Sequence, residues 1–154
     1  MCLFIDKSDF QIKIAEKDII CYKAIQTFDQ LNMSERNLVI AKYSDVCNDL
    51  NKLYFSPYRF QIVTFNTVLT AKGFFQFDCE PRVDPVYNKI VIESGAFHSY
   101  VHKFKADNTI LNGLWDRYVA KCIIPKGSKY ILGYSYGYVP NYASQQIIYK
   151  EICS

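Results

Sequence analysis

The densest group of side chains capable of chemistry lies in segment 93–100, which reads ESGAFHSY. The segment follows a predicted strand, and Gly95 permits backbone conformations that other residues resist. His98, Ser99 and Tyr100 then present an imidazole, a hydroxyl and a phenol at consecutive positions. Because a ligand site needs several polar groups that converge at the end of an element, this segment is a candidate binding site. The alternative is a turn in which the histidine and serine hydrogen-bond their own backbone.

A second candidate segment spans residues 130–142 and is rich in tyrosine. Tyr134, Tyr136 and Tyr138 alternate along it, so an extended backbone would direct the three rings to the same side. Such an aromatic surface can stack a nucleobase or anchor a protein interface. The alternative is a β-hairpin that uses its tyrosines to cover the protein's own core.

Phosphate recognition is the third chemistry that the residue types allow. A guanidinium binds a diphosphate or a carboxylate through two donors at once, which a lysine ammonium does not. Arg59, Arg82 and Arg117 are therefore candidates for phosphate contacts. Segment 123–129, IIPKGSK, offers backbone amides and two lysines. It lacks the GxxxxGK[ST] spacing of a phosphate-binding loop, so a solvated turn is the simpler interpretation.

Motifs for catalysis and metal binding are missing from the sequence. There is no GxSxG elbow and no acid placed to orient His98, so a hydrolytic triad is not predicted. The six cysteines are widely spaced and form no CxxC pair. Cys21 and Cys122 lie in predicted strands, where we expect small buried hydrophobes in a reducing compartment. We therefore assign no catalytic residue, no metal ligand and no cofactor.

The elements that must position these segments are mostly short strands. A chain of 154 residues has the size of one domain, and we predict a single globular domain over 1–154. Period-2 alternation and β-branched runs predict six or seven strands, of which 118–124 is the clearest. One or two helices are expected, over 34–50 with Ser34 as N-cap and over 98–111. In the first of these segments, Val39 and Ile40 would suit a strand equally well. The predicted fold is α+β, dominated by antiparallel sheet.

Charge and hydropathy restrict the compartment and the partners. The formal net charge is +3, which is too small to indicate binding to nucleic acid or to an anionic membrane. The amino end lacks the basic start and the apolar run of about 7 to 15 residues that a secretory signal needs. No stretch approaches the roughly 20 apolar residues that span a bilayer. We expect a cytoplasmic protein that binds neither nucleic acid nor membrane.

Two resemblances follow from segments already described. The stretch Cys122–Glu151, with IIPKGSKY and YASQQIIYKE, resembles the closing third of small proteins of gut bacteria and their phages. In those proteins a Gly-Phe-His-Ser type segment comes earlier, as segment 95–99 does here. The resemblance covers about 60 residues and implies no activity.

More remotely, the order of parts is similar to that of the ADP-ribosyltransferase superfamily. Members have an early strand with a basic residue, a central strand with a Ser-Thr-Ser-like motif and a late strand that presents a glutamate. Lys23, segment 97–99 and the pair Gln145–Gln146 would occupy these three places. The resemblance implies a cleft for an ADP-ribose-like ligand. Neutral glutamine supplies none of the negative charge that stabilises an oxocarbenium-like transition state, so binding is expected rather than catalysis.

These observations lead to one functional hypothesis and two alternatives. The leading hypothesis is a non-enzymatic protein that sequesters a small nucleotide-derived ligand, which the phage resemblance would make an anti-defence sponge for an immune signalling nucleotide. Rings for stacking, hydroxyls for ribose and a guanidinium for phosphate give the expected contacts: His98, Ser99, Tyr100, Tyr134, Tyr136 and Arg82. The alternatives are a protein that inhibits a host defence enzyme through its tyrosine surface and an ADP-ribosyltransferase-like enzyme. A homodimer is compatible with all three and predicted by none.

Overall fold

The computed structural model describes residues 3–46, 48–56, 61–71, 83–84, 89–92, 95–111, 118–135 and 138–153. Within these residues twelve strands form one sheet, accompanied by two α-helices and two short 3-10 helices. The strands are β1 (Leu3–Ile5), β2 (Lys13–Ile14), β3 (Ile19–Thr27), β4 (Tyr54–Phe55), β5 (Leu69–Thr70), β6 (Val83–Asp84), β7 (Lys89–Ile92), β8 (Phe97–Tyr100), β9 (Tyr118–Ile124), β10 (Lys129–Ser135), β11 (Val139–Ser144) and β12 (Gln146–Cys153). The helices are α1 (Met33–Tyr43) and α2 (Lys103–Leu111), and the 3-10 helices are Phe28–Gln30 and Leu50–Lys52.

The strands of this sheet pair in the antiparallel sense wherever the structure describes both partners. Their order is β5-β12-β9-β3-β8-β11-β10-β1-β7-β6, with β2 joined to β10 and β4 joined to β3. The predicted α+β fold, with mainly antiparallel sheet and two helices, is confirmed. The strand predicted at 118–124 is β9, with the predicted bounds.

The first helix begins earlier than the sequence pattern indicated. Its N-cap is Asn32 rather than Ser34, so the predicted cap is wrong. The Asn32 side chain accepts a hydrogen bond from the Glu35 backbone nitrogen at 2.9 Å, and the Glu35 carboxylate accepts one from the Asn32 nitrogen at 3.0 Å. This reciprocal capping box satisfies two backbone donors, which places the serine inside the first turn.

The second helix is shorter than predicted because strand pairing takes its first residues. Segment 98–100 belongs to β8, which pairs with β3 and β11, and the helix starts at Lys103. Ala106 is completely buried where α2 packs on β3 and β9. Neither helix in the described part of the chain is long and apolar enough to cross a membrane.

Successive side chains of each strand point to opposite sides of the sheet, which gives the sheet two faces. On one, the cysteine face, Cys21 and Cys122 are cross-strand neighbours on β3 and β9. On the other, the histidine face, His98, Ala143 and Ile131 form a row across β8, β11 and β10.

The buried face changes from one half of the sheet to the other. The core on the cysteine face is built mainly on β3, β9 and β12: Ala15, Cys21, Ile25, Val63, Ala120, Cys122, Ile124, Ile147 and Tyr149. The core on the histidine face is built mainly on β1, β7 and β10: Leu3, Ile5, Ile90, Ile92, Ile131 and Ala143. Leu31, Val39 and Phe55 form a smaller core beneath α1. As a consequence, the cysteine face is open to solvent on β10, where Leu132 and Tyr134 are exposed.

Close packing of β1 against β10 requires a glycine at position 133. A Cβ atom on Gly133 would lie 2.8 Å from side-chain carbons of Leu3 and Ile5 and 2.8 Å from the backbone oxygen of Phe4. Side chains can rotate away, but the backbone oxygen can move only if the strand moves. The absence of a Cβ atom at this position therefore allows the two strands to approach this closely.

Gly133→Ala is expected to lower the free energy of unfolding by about 1 to 3 kcal/mol, because the added methyl group overpacks this contact. Urea denaturation followed by circular dichroism measures the change. Leu132→Ala is the matched control on the same strand, and its exposed side chain predicts a change within about 0.5 kcal/mol. Equal stability of Gly133→Ala and the wild-type protein would contradict the close approach of β1.

Candidate functional site

Three of the predicted contact residues lie in the centre of the sheet, and not in a turn. Ser99 pairs with Tyr142 of β11, and Tyr100 pairs with Tyr22 of β3. The period of a strand therefore places His98 and Tyr100 on the histidine face and Ser99 on the cysteine face. Both ring nitrogens of His98 and the hydroxyl of Ser99 are buried. The structure does not gather the three polar groups at one accessible point.

The tyrosine segment is divided between the core and the surface. Tyr130 and Tyr142 pack against the core of the cysteine face. In contrast, Tyr134 is 47% exposed and Tyr138 is 77% exposed. The ring centroids of this second pair are 6.4 Å apart, and the ring planes meet at 65°. The two exposed rings therefore form an open corner beside β10.

Two charged residues border this corner. Asp6 follows β1 and Lys89 begins β7, and the antiparallel pairing of these strands brings the two side chains to 3.7 Å. The Lys89 ammonium also lies 5.4 Å from the centroid of the Tyr138 ring, within the range of a cation–π interaction. We refer to Tyr134, Tyr138, Lys89 and Asp6 as the tyrosine platform. Sequence reasoning missed both charged residues because only strand register brings them to the rings.

The remaining two predicted contacts, Tyr136 and Arg82, lie outside the described residues. Arg82 precedes β6 in the chain, and β6 pairs with β7 so that Asp84 is the register partner of Lys89. The sequence prediction for both residues stays a prediction.

The hairpin that carries the platform is held by a buried amide. Asn141 is completely buried, and its side-chain nitrogen donates hydrogen bonds to Ser135 Oγ at 2.8 Å and to the Val139 carbonyl at 2.9 Å. Tyr138 lies in this hairpin with a φ of 58°. This is the left-handed region, which glycine adopts readily and other residues adopt rarely. This conformation costs about 1 to 2 kcal/mol. Strain of this kind persists where the surrounding structure fixes it, and it accumulates at functional sites.

A second cluster of reactive groups lies between β3, β8 and β9, with its thiols buried and Lys23 half-buried. The Lys23 ammonium donates a hydrogen bond to the His98 carbonyl at 2.6 Å. Burial lowers the pKa of Lys23, and the neighbouring Cys122 and Cys21 oppose that shift. The cluster therefore joins an amine and two thiols inside the protein.

The two thiols of this cluster are poor nucleophiles. Burial raises the pKa of Cys21 to about 11, although a hydrogen bond with Ser99 and the charge of Lys23 act in the opposite direction. Burial also raises the pKa of Cys122, and the nearby Cys21 adds to the shift. The prediction that both cysteines are buried within strands is confirmed.

The three segments for which a resemblance to an ADP-ribosyltransferase is predicted are close to one another in the sheet. Lys23 contacts the backbone of His98 through the hydrogen bond described above. Gln145 follows β11, in which Ser144 pairs with Phe97. The first two segments are therefore in direct contact, and the third lies beside the start of the second.

Neither metal chemistry nor kinship adds a further constraint on the site. Among the residues that the structure describes, no group of three or more histidine, cysteine or acidic side chains is placed to hold a metal ion. The chain matches no protein-family model, no curated protein and no solved structure. The two resemblances drawn from the sequence stay predictions.

The protein is expected to lose stability as the pH rises above about 9. In the unfolded chain Cys21 and Cys122 ionise near their ordinary pKa of 9.0, whereas the folded protein keeps them protonated to higher pH. Each thiol therefore contributes stability that is complete below pH 9.0 and is lost as the pH rises toward the folded pKa. For each thiol, the free energy of unfolding falls by up to about 1.4 kcal/mol per pH unit in this range.

Urea denaturation with a reducing agent, repeated at about six pH values between about 7.5 and 10.5, measures this loss of stability. The double variant Cys21→Ala, Cys122→Ala is the control, and its stability should fall less steeply over the same range. Parallel curves for the two proteins would show that the thiols are not held protonated by burial.

Replacing Tyr138 separates the strain of its backbone from the role of its ring. Tyr138→Gly and Tyr138→Ala both remove the ring, but only glycine relieves the left-handed conformation. The glycine variant is therefore expected to be more stable by about 1 kcal/mol in urea denaturation. Tyr134 in the extended β10 is the matched control, where the order should reverse and alanine should be the more stable. The same order at both positions would contradict a strained Tyr138.

Proposed function

We propose that the protein binds a small nucleotide-derived ligand on the tyrosine platform and sequesters it without chemical turnover. The observation that carries the proposal is the open corner between Tyr134 and Tyr138, with an ammonium beside it. A flat base that stacks on one ring meets the other ring edge-on. Each such base–aromatic contact contributes about 1 to 3 kcal/mol to binding.

The platform also offers a contact for the anionic part of a nucleotide. The Lys89 ammonium is held within 5.4 Å of the Tyr138 centroid, so a base on the ring and a phosphate on the lysine are compatible with one small ligand. The strained backbone of Tyr138 and the buried amide of Asn141 support the same proposal, because they fix the backbone that carries the ring before a ligand arrives. Pre-organisation of this kind lowers the entropy that binding must overcome.

Sequestration is favoured over catalysis by the position of the reactive groups. The thiols of Cys21 and Cys122 are buried and protonated, and the amine of Lys23 is engaged by a backbone carbonyl. These groups lie inside the sheet, whereas the platform presents rings and one ion pair. The resemblance to phage proteins extends the proposal to an immune signalling nucleotide as the ligand.

A protein partner is the second candidate, and the exposure of Leu132 favours it. Leu132 is 41% exposed on the same face and strand as Tyr134. Tyrosine is enriched at the centre of protein interfaces, and the buried centre of an interface is more apolar than its rim. An inhibitor of a host defence enzyme would use this surface.

Isothermal titration calorimetry with adenosine monophosphate, ADP-ribose and a cyclic dinucleotide tests the proposal. At least one of these compounds should bind, and Tyr134→Ala and Tyr138→Ala should each raise its Kd by about 5- to 150-fold, the equivalent of one lost stacking contact. Phe104→Ala is the control, because Phe104 is 64% exposed on α2, away from the platform. Its Kd should equal that of the wild-type protein.

Three outcomes would contradict sequestration on the platform. Binding that is unchanged in both tyrosine variants would place the ligand elsewhere. Recovery of a stoichiometric host protein that is lost in both variants, without nucleotide binding, would favour the inhibitor. Sustained release of nicotinamide from NAD by the purified protein would favour the transferase-like enzyme.

A further inference from the structure

The ion pair on the tyrosine platform joins a carboxylate to a lysine that also contacts an aromatic ring. The Lys89 ammonium lies 3.7 Å from Asp6 Oδ1, and the two side chains are 30% and 59% exposed. The same ammonium lies over the ring of Tyr138. One cation is therefore shared between a carboxylate and the aromatic surface on which we propose that a base stacks.

Strand register, and not chance contact of surface side chains, brings this carboxylate to the lysine. In the pairing of β1 with β7, Phe4 is opposite Val91 and Ile5 is opposite Ile90. The next antiparallel step places Asp6 beside Lys89. Phe4 is also the register partner of Tyr134, so alternation along β1 puts the carboxylate on the same face as the rings.

We infer that Asp6 occupies the place of the ligand's phosphate and that a phosphate monoester displaces it from Lys89. The inference rests on the proposed function, and it names the ligand class as a nucleotide with a phosphate monoester and not a neutral nucleoside. An exposed ion pair contributes little net stability, so its exchange is inexpensive. A phosphate carries about 1.5 to 2 negative charges and three acceptor oxygens, which makes it the stronger partner for an ammonium.

Asp6 also lowers the affinity for nucleotides in this arrangement. Its carboxylate repels the incoming phosphate until the side chain turns away, and a neutral nucleoside meets no such repulsion. The carboxylate therefore weakens the binding of nucleotides and leaves the binding of nucleosides unchanged, so the preference for a phosphate comes from Lys89. Removing the charge of Asp6 should strengthen the binding of the phosphate-bearing ligand alone.

Calorimetry with adenosine monophosphate and adenosine, at low and moderate salt, tests this inference. Asp6→Asn and Asp6→Ala should each lower the Kd of adenosine monophosphate by about 3- to 10-fold, and the gain should shrink as salt screens the charge. The Kd of adenosine should change by less than about 2-fold, because no charge is involved. Lys89→Met should raise the Kd of adenosine monophosphate at least to that of adenosine and should reduce the gain from Asp6→Asn.

Asp107→Asn is the matched control. Asp107 forms an exposed ion pair with Lys103 on α2, at 3.9 Å, and its loss changes the net charge by the same amount. An equal gain from this control would attribute the effect to net charge and would overturn the inference.

The outcomes distinguish this inference from the proposed function. If both nucleoside and nucleotide bind through Tyr134 and Tyr138 but Asp6→Asn has no effect, the platform remains the binding site. The inference that Asp6 occupies the place of the phosphate is then wrong. If neither compound binds, and a cyclic dinucleotide and ADP-ribose also fail, both proposals fail. Thermal denaturation of each variant confirms that the substitution leaves the fold intact.

Discussion

The organisation of this protein depends on the change of buried face across a single long sheet. Over β3, β9 and β12 the hydrophobic residues of the cysteine face are buried, and over β1, β7 and β10 those of the histidine face are buried instead. Burial of apolar surface is the main favourable term in folding, so each half of the sheet keeps its own covered side. Where the covering changes, the cysteine face of β10 is left in solvent with aromatic side chains on it. The tyrosine platform is a consequence of how the two cores are arranged.

The same arrangement separates reactive groups from accessible ones. The two thiols are buried and Lys23 beside them is half-buried, and desolvation favours the neutral form of each. His98 and Ser99 lie in β8, which pairs with β3. Both imidazole nitrogens of His98 and the hydroxyl of Ser99 are buried. Among the described residues, these groups are therefore separated from the tyrosine platform, which presents two rings and one ion pair to solvent.

Local strain and distant register both contribute to the platform. The left-handed backbone of Tyr138 is compensated within its own hairpin by the hydrogen bonds of Asn141. The position of Lys89 depends on a strand far away in the chain, because β1 lies between β7 and β10. The hairpin fixes the backbone that carries Tyr138, and the sheet order brings Lys89 to its ring. Neither feature would form the surface by itself.

The sequence determined the α+β class, the clearest strand and the burial of Cys21 and Cys122, because alternation and β-branched composition are local properties. It placed the first helix within two residues of its cap, but two suitable cap residues stood close together and only the capping box selects Asn32. Which face of β8 each polar side chain occupies, and which lysine stands beside the tyrosines, depends on pairing between strands that are far apart in the chain. Register and sheet order are set by the burial of both cores at once, a property of the whole tertiary structure that no single segment encodes.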